Sequence, residues 1–291
     1  GIALDRMSAA AVIAKDSPLW DVLDGFRALG FAGGASVDDP SLTPEQKALL
    51  HCIVLEELSA GDVGLFITCG LLNIAPQIAR SFGREDLYGF FSKRDEVSCL
   101  ALTEPGHGSD IVAFTEPSYR DARIKPVLKC RRNGDDYVLN GQKAAWVSGG
   151  TLAGSGIVFA TFENSPVGLA DGVVFLMPFD LPGVSKGKPL EKIGQRALNQ
   201  GEIFFDNVEV PAQFMLAQGP EAYPFVWEMN LKGANIAMGQ QFVGVARAAY
   251  DLALDYARQW VQGGVPIIQH QNVKSRLFGM FQKLEAARAL V

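Results

Sequence analysis

The sequence predicts an α+β protein in three parts: a helical N-terminal domain over residues 1–96, a β-barrel or β-sandwich domain over residues 97–211 and a helical bundle over residues 212–291. Apolar residues recur at helical spacing before residue 97 and again after Pro211. Between these regions the apolar runs are short and separated by turn residues, as in strands. Several short strands between two helical regions indicate a barrel or a sandwich.

The composition limits the kinds of partner that we expect. Of the 291 residues, 48% are hydrophobic and 20% are charged, which is typical of a soluble globular protein. The net charge of −6 gives no reason to expect nucleic acid or an anionic membrane as a partner. No apolar run approaches the ~20 residues of a membrane span, and no secretory signal is visible at the N-terminus.

The cysteines and histidines show no metal-binding pattern, so no metal is predicted. The four cysteines form no CxxC pair and have apolar flanks, which favours buried free thiols in a reducing compartment such as the cytoplasm over disulfides. They are Cys52, Cys69, Cys99 and Cys130. The three histidines share no ligand spacing, and we interpret all of them as structural. They are His51, His107 and His270.

Start signals define the N-terminal helices. Ser17-Pro18 offers a cap followed by proline at the first helical position, and the helix is expected to end at Gly30. Thr43-Pro44 repeats this signal and predicts a helix to about Gly61. A further apolar segment over residues 65–82 is predicted to be helical, with breaks at Gly70 and Pro76.

The middle region contains one clear hairpin signal. The Asn133-Gly134 step favours the positive φ that a tight turn needs, between apolar runs at 127–130 and 137–141. Further strands are predicted over residues 156–161, 172–177 and 202–205.

The C-terminal region predicts two helices. The first covers Ala234 to Trp260 and is stopped by Gly263-Gly264 and Pro266, and its apolar stripe is interpreted as bundle core or subunit interface. The second starts near Gln271 and has not ended at Val291. Since the sequence also opens within a pattern, we expect residues to be missing at one or both ends, which would leave the bundle truncated.

The stretch LTEPGHGSD places small residues directly behind an apolar run. Gly106 and Gly108 remove side chains, and the exposed N–H groups, with the Thr103 and Ser109 hydroxyls, can bind anionic oxygens of a flat or phosphorylated ligand. The alternative is a turn that is merely rich in turn formers.

A second stretch, NGQKAAWVS, places Trp146 and Ser148 where a strand should end. Trp146 can cover one face of a planar ring while Ser148 hydrogen-bonds the edge of that ring; the alternative for a lone tryptophan is core packing. A third stretch, KIGQR followed by EIFFDNVEVP, indicates by itself only a loop and a strand.

Taken in this order, the three stretches resemble the acyl-CoA dehydrogenase family. LTEPGHGSD resembles its TEPGxGSD motif, NGQKAAWVSGG its NGxKxWI(T/S)NG motif, and KIGQR with IFFDNVEVP the end of its middle domain. The resemblance extends from about Ala28 to Val291 and implies the same three-part layout.

The resemblance implies FAD between the middle domain and the bundle. Thr103 would hydrogen-bond the pyrimidine edge of the flavin, Ser148 would lie near its N5 atom, and Ser109 would lie by the pyrophosphate and the acyl-CoA. Asn235, on the helix facing the pantetheine, would be a second substrate contact. The whole cofactor set would be Leu100, Leu102, Thr103, Gly108, Ser109, Trp146, Val147 and Ser148.

The implied reaction is α,β-dehydrogenation of an acyl-CoA thioester in fatty acid metabolism, with electrons passed to an electron-transfer flavoprotein by a homodimer or homotetramer. In a eukaryote the implied location is the mitochondrial matrix. Two alternatives stay open. One is an acyl-CoA oxidase or a flavin monooxygenase on the same fold, although the intact TEPGHGSD argues against monooxygenases. The other is a non-catalytic partner subunit of a heteromeric dehydrogenase.

The catalytic base is not assigned to a residue. The family's usual glutamate has no matching segment before Val291, so we expect it beyond that residue. Some members place the base on the first bundle helix, where this chain has Ala234. Glu228 is the nearest carboxylate, but its register does not fit, and a surface or capping role suits it better.

Other departures concern the cofactor. Asn235, on the helix that faces the pantetheine, stands where the family commonly has arginine. In the loop that reaches the flavin of the neighbouring subunit, Trp260 replaces an arginine and Gly263 replaces a phenylalanine, which puts the FAD contact across subunits in doubt. The segment between Val112 and Ala122 has no clear counterpart. We interpret it as a surface loop, with a place beside the CoA entrance as the alternative.

Overall fold

The computed structural model describes residue 4 and residues 6–29 and 40–291, which form two compact units. One unit contains the described residues up to 29 and residues 67–231; the other contains residues 40–66 and 232–291. The α-helices of the described residues are α1 (Ala9–Val12), α2 (Leu19–Ala28), α3 (Pro44–Gly70), α4 (Ile74–Ser81), α5 (Glu85–Phe91), α6 (Ala222–Gln259) and α7 (Gln271–Leu290).

Both predicted N-terminal start signals are confirmed. The Leu19 amide donates to Ser17 Oγ at 3.2 Å at the start of α2. At the start of α3 the Gln46 amide donates to Thr43 Oγ1 at 3.3 Å, and the Thr43 amide donates to Gln46 Oε1 at 2.9 Å. This reciprocal pair is a capping box, which satisfies two amides that the first helical turn leaves unpaired.

The predicted helix end near Gly61 is confirmed, as a break inside the range of α3. Asp62 breaks the helix with φ −164° and ψ 105°, but its Oδ1 accepts from the Leu65 amide at 2.9 Å and so caps a further helical segment that runs to Gly70. Pro76 does not break α4, because it lies in the first turn, where its missing N–H needs no partner.

The middle region forms one mixed sheet of eight strands. Its hydrogen-bonded order is β6-β7-β3-β2-β4-β5-β8, with β1 parallel beside β4. The strands are β1 (Ser98–Ala101), β2 (Lys129–Asn133), β3 (Asp136–Ser148), β4 (Ser155–Phe162), β5 (Gly172–Pro178), β6 (Val184–Lys186), β7 (Gln200–Val210) and β8 (Met215–Gly219). The layout of helices, sheet and helices is confirmed. Among the described strands the order has two free ends, so the barrel alternative is not formed.

The hairpin at Asn133-Gly134 is confirmed, with Asn133 opposite Asp136 and Gly134 at φ 64°. Strand β3 is longer than predicted and carries Trp146 and Ser148 at its C-terminal end. The sheet core lies on β4 and β5, whose side chains are almost all buried. All four cysteines are free as predicted, although Cys52 is only half-buried.

Helix α6 starts twelve residues before the predicted Ala234 and ends at Gln259. It ends because β9 (Val261–Gln262) and β10 (Val265–Pro266) form a small hairpin, with Gly263 and Gly264 at φ 64° and 82° in its turn. Helix α7 begins at Gln271 as predicted.

In the described part of the chain no single helix is long and apolar enough to cross a membrane. Helices α3 and α4 meet that length and composition test only as a pair, bent by 63° at the break between them.

A buried carboxylate ties the helices of the second unit together. Glu56 on α3 is 7% exposed, and Arg288 on α7 donates to it from Nη2 at 2.7 Å and from Nε at 3.0 Å. Arg247 on α6 lies 3.3 Å from the same carboxylate. A buried charge needs such partners, because its hydration is lost on folding.

We predict that Glu56→Gln lowers the free energy of unfolding by about 2–3 kcal/mol, because two arginines lose their shared buried partner. Urea denaturation of the purified chain measures this loss. Glu57→Gln is the matched control, since Glu57 binds Arg247 from an exposed position. Equal losses for the two variants would show that burial of Glu56 is unimportant.

Candidate functional site

The residues of the LTEPGHGSD stretch form a corner, defined here as residues 103–110, directly after β1. Strand β1 is held parallel to β4, with Cys99 and Ala101 buried, and the chain then leaves the sheet. The corner is fastened to β3 at its first residue. The Ala144 amide donates to the Thr103 carbonyl at 3.0 Å, and Thr103 Oγ1 donates to the Ala144 carbonyl at 3.3 Å.

A fully buried ion pair lies beneath this junction. Lys143 Nζ donates to Glu104 Oε1 at 2.8 Å and to the Leu102 carbonyl at 2.8 Å, and the two charged side chains are 0% and 2% exposed. Glu104 also accepts from the amides of Val127 at 2.7 Å and Leu128 at 3.1 Å. Burial lowers the pKa of Lys143, although the Glu104 carboxylate opposes this effect.

The two motif segments line one concavity of about 410 Å³. Its wall consists of residues 103–108 of the corner and residues 144–146 of β3. Trp146 is 63% exposed at this concavity, so the core-packing alternative for it is wrong. The structure therefore brings together the two segments that the sequence analysis singled out, with an open aromatic face beside them.

The predicted cofactor residues differ in what they present. Leu102 and Val147 are buried, so neither side chain is presented to a ligand. Ser109 is exposed, with no hydrogen-bond partner for its hydroxyl among the described residues. Ser148 Oγ accepts from Gln200 Nε2 at 3.1 Å, which leaves the hydroxyl proton of Ser148 free to donate. Leu100 and Thr103 are half-buried, and Gly108 is exposed.

The remaining predicted positions lie on α6 and the hairpin that follows it. Asn235 and Glu228 are exposed, and the surface role expected for Glu228 agrees with this. Trp260 is 51% exposed and stacks on Tyr256, with ring centroids 5.6 Å apart. Gly263 has φ 64°, a conformation that glycine adopts without strain.

The segment between Val112 and Ala122 is mostly exposed, as predicted, but it is anchored. Tyr119 is 1% exposed and packs edge-on against Phe114, with ring centroids 5.3 Å apart. Burial raises the pKa of Tyr119, and its hydroxyl has no hydrogen-bond partner within the described ranges of the chain. The sequence does not predict this anchor, because an aromatic residue in a polar loop gives no periodic signal.

Sequence reasoning also missed the Glu104–Lys143 pair and the contacts of His107. A usable signal existed for the pair, since each charge sits alone among small or apolar residues of its motif. For His107 the structural role is confirmed. Its Nδ1 lies 2.6 Å from Asp110 Oδ2 and its Nε2 lies 2.7 Å from the Lys125 carbonyl oxygen.

Comparisons with known proteins agree with this geometry. The family model described as "Acyl-CoA dehydrogenase, middle domain" matches residues 99–208, and "Acyl-CoA dehydrogenase, C-terminal domain" matches residues 226–291. The chain therefore belongs to the acyl-CoA dehydrogenase family, as the motif resemblance indicated.

Individual relatives show how similar the chain is in sequence and how much of each relative it covers. A 2-methylacyl-CoA dehydrogenase of Solanum tuberosum is 28% identical over 95% of this chain and 64% of its own length. An acryloyl-CoA reductase (NADH) of Anaerotignum propionicum is 33% identical over 75% of this chain and 53% of its own length. The butyryl-CoA dehydrogenase structure from Megasphaera elsdenii superposes with a TM-score of 0.80 at 26% identity, over 99% of this chain and 72% of that chain. The chain thus spans less than two thirds of the curated relatives.

We predict that Lys143→Met lowers the free energy of unfolding by about 3–5 kcal/mol, because Glu104 is left charged and buried without a cation. Glu104→Gln should be similarly costly. The double variant should cost clearly less than the sum of the two, since it removes both charges. A double-mutant cycle from chemical denaturation measures the coupling. Additive losses would contradict a direct pairing of the two groups.

Proposed function

We propose that this protein binds FAD at the concavity and acts as an acyl-CoA dehydrogenase on the α,β carbon–carbon bond of an acyl-CoA thioester. The observation that carries the proposal is the meeting of the corner with the Trp146 strand end around one concavity. Family membership supports it independently.

The residues that line the concavity, with Ser109 and Ser148 directly next to them in the chain segments 103–110 and 144–148, suit a flavin. The exposed indole of Trp146 offers a flat apolar face for an isoalloxazine ring. The Ser148 hydroxyl has a proton to donate toward the ring edge, and the exposed Ser109 hydroxyl can donate to a phosphate oxygen. A Cβ added to Gly108 would meet no protein atom within 4 Å, so this flank is open to a ligand.

The bound flavin would supply the hydride acceptor for the dehydrogenation. The part proposed for this chain is to bind and orient. Backbone groups of Leu100, Leu102 and Val147 complete the cofactor set, Thr103 receives the pyrimidine edge, and Ser109 and Asn235 contact the acyl-CoA. Hydrogen bonds to a thioester oxygen would stabilise the enolate that develops as the α proton leaves, which is commonly a large electrostatic contribution.

The wider assignments rest on the family alone. We propose an electron-transfer flavoprotein as the electron acceptor, a homodimer or homotetramer as the assembly and a domain division at residues 96 and 211. The name of the Anaerotignum relative includes NADH, so the acceptor is a property to measure directly. The partner-subunit alternative is supported by one feature of this chain, the uncharged Trp260 where the family commonly has an arginine.

Flavin content and turnover separate these possibilities. The purified protein should show flavin absorbance at about 450 nm, which an acyl-CoA substrate bleaches. Turnover with a flavoprotein acceptor but without oxygen consumption supports a dehydrogenase, whereas oxygen consumption indicates an oxidase. A colourless protein that gains flavin only on mixing with a second chain indicates a partner subunit.

We predict that Trp146→Ala weakens FAD binding roughly ten-fold, because an aromatic contact to the ring is lost. Trp146→Phe should retain most of the affinity. Flavin fluorescence titration measures the dissociation constants. Phe225→Ala is a matched control, since Phe225 is 54% exposed in the same unit and does not line the concavity. Equal effects of Trp146→Ala and Phe225→Ala would exclude this face as the flavin contact.

A further inference from the structure

His107 occupies the variable position of the TEPGxGSD motif, yet its ring is held at both nitrogens. Nδ1 lies 2.6 Å from Asp110 Oδ2, and Nε2 lies 2.7 Å from the Lys125 carbonyl oxygen. The imidazole side chain is only 12% exposed. The ring therefore bridges two points of the corner region that are separated along the chain, its own loop and the segment that leads into β2.

The acceptors of these two bonds define the protonation of the ring. A backbone carbonyl only accepts, so Nε2 must carry a proton. Asp110 Oδ1 accepts from the Gly108 amide at 2.7 Å, which favours the ionised carboxylate and places the shared proton on Nδ1. With both nitrogens protonated, the ring is an imidazolium cation.

The charged groups around the ring support this state. Burial lowers the pKa of His107, but the hydrogen bonds to Asp110 and to the Lys125 carbonyl, with the charges of Asp110 and Glu104, outweigh it, so the pKa is raised. Burial raises the pKa of Asp110, but its bonds to His107 and the Gly108 amide prevail, so that pKa is lowered. Glu104 is itself paired with Lys143.

The contacts of Asp110 link the cation to the proposed cofactor site. One carboxylate holds both the His107 ring and the Gly108 amide, and Ser109 lies between these anchored residues with its hydroxyl exposed. Loss of the Nδ1 proton would leave a nitrogen lone pair 2.6 Å from a carboxylate oxygen, which is repulsive. Deprotonation therefore removes the contact between the ring and Asp110 and loosens the loop that presents Ser109, which keeps its backbone bonds.

We propose that His107 is a positioning residue whose imidazolium clamps Asp110 to the Lys125 carbonyl, and thereby holds Gly108 and Ser109 in the shape that receives the anionic part of the cofactor. The effect on cofactor binding rests on the proposed flavin function, whereas the His107–Asp110 clamp does not depend on it.

The sign of the pH dependence follows from the two shifts. The raised pKa of His107 means that its stabilisation is complete below the pKa of a free histidine and is lost as the pH rises through the raised value. The lowered pKa of Asp110 means that its stabilisation is present above the pKa of a free aspartate and is lost as the pH falls through the lowered value. The clamp is thus intact in mildly acidic and neutral solution and opens in alkaline solution.

The first test needs no flavin. An NMR titration of the imidazole ¹⁵N signals should show His107 protonated on both nitrogens well above a free-histidine pKa of about 6.5. Asp110→Asn should remove this elevation, whereas Asp121→Asn, a control on a half-buried carboxylate that binds Arg123, should not. The clamp is contradicted if the His107 ring is neutral at pH 7, or if Asp110→Asn leaves the pKa of His107 unchanged.

The second test measures the FAD dissociation constant at pH 6 and pH 9. We expect the native protein to bind roughly three- to ten-fold more weakly at pH 9, and His107→Gln to lose this dependence. His270→Gln is the matched control, because His270 also binds a backbone carbonyl, that of Gln262, but in the other unit. The native dependence persisting in His107→Gln, or no dependence in the native protein, contradicts the positioning role. Absence of FAD binding in every protein at both pH values refutes the proposed function instead, and the NMR titration then decides the clamp.

Discussion

The buried pair of Glu104 and Lys143 is the interaction on which the site depends. In a regular sheet the backbone N–H and C=O groups are hydrogen-bonded between neighbouring strands. A binding corner leaves the sheet, so some of its backbone groups lose these partners. Here Glu104 accepts from the Val127 and Leu128 amides, and Lys143 donates to the Leu102 carbonyl. Two opposite charges thus complete the hydrogen bonding of three segments at the point where they diverge, and each neutralises the other.

This arrangement explains why the site is open on its solvent side and held by hydrogen bonds on its buried side. The small residues of the corner leave room for a ligand on the solvent side. The ion pair and the backbone bond between Thr103 and Ala144 hold the corner to β3 on the buried side. Trp146 is carried outward at the end of β3 instead of into the core. Such a site requires buried charges. The buried pair contributes little to the net stability, but it fixes the positions of the segments that it joins.

Local signals in the sequence predicted the local structure well. Ser17 and Thr43 start helices because their hydroxyls accept from amides a few residues on, and Gly134 turns the hairpin, all within short stretches of chain. The convergence of the two motifs was predicted through the family resemblance. The open strand order, the parallel pairing of β1 with β4 and the partners of Glu104 and His107 depend on residues far apart in sequence, and no local pattern encodes them.

The central claim is that the corner and the end of β3 act as one flavin-binding surface. Hydrogen–deuterium exchange of the chain with and without FAD tests this most directly, because it reports each segment separately. The account predicts that FAD slows amide exchange in the peptides covering residues 103–109 and 144–148 together, with little change at the distant hairpin Asn133-Gly134. Protection confined to one of the two segments, or found only elsewhere, would contradict it.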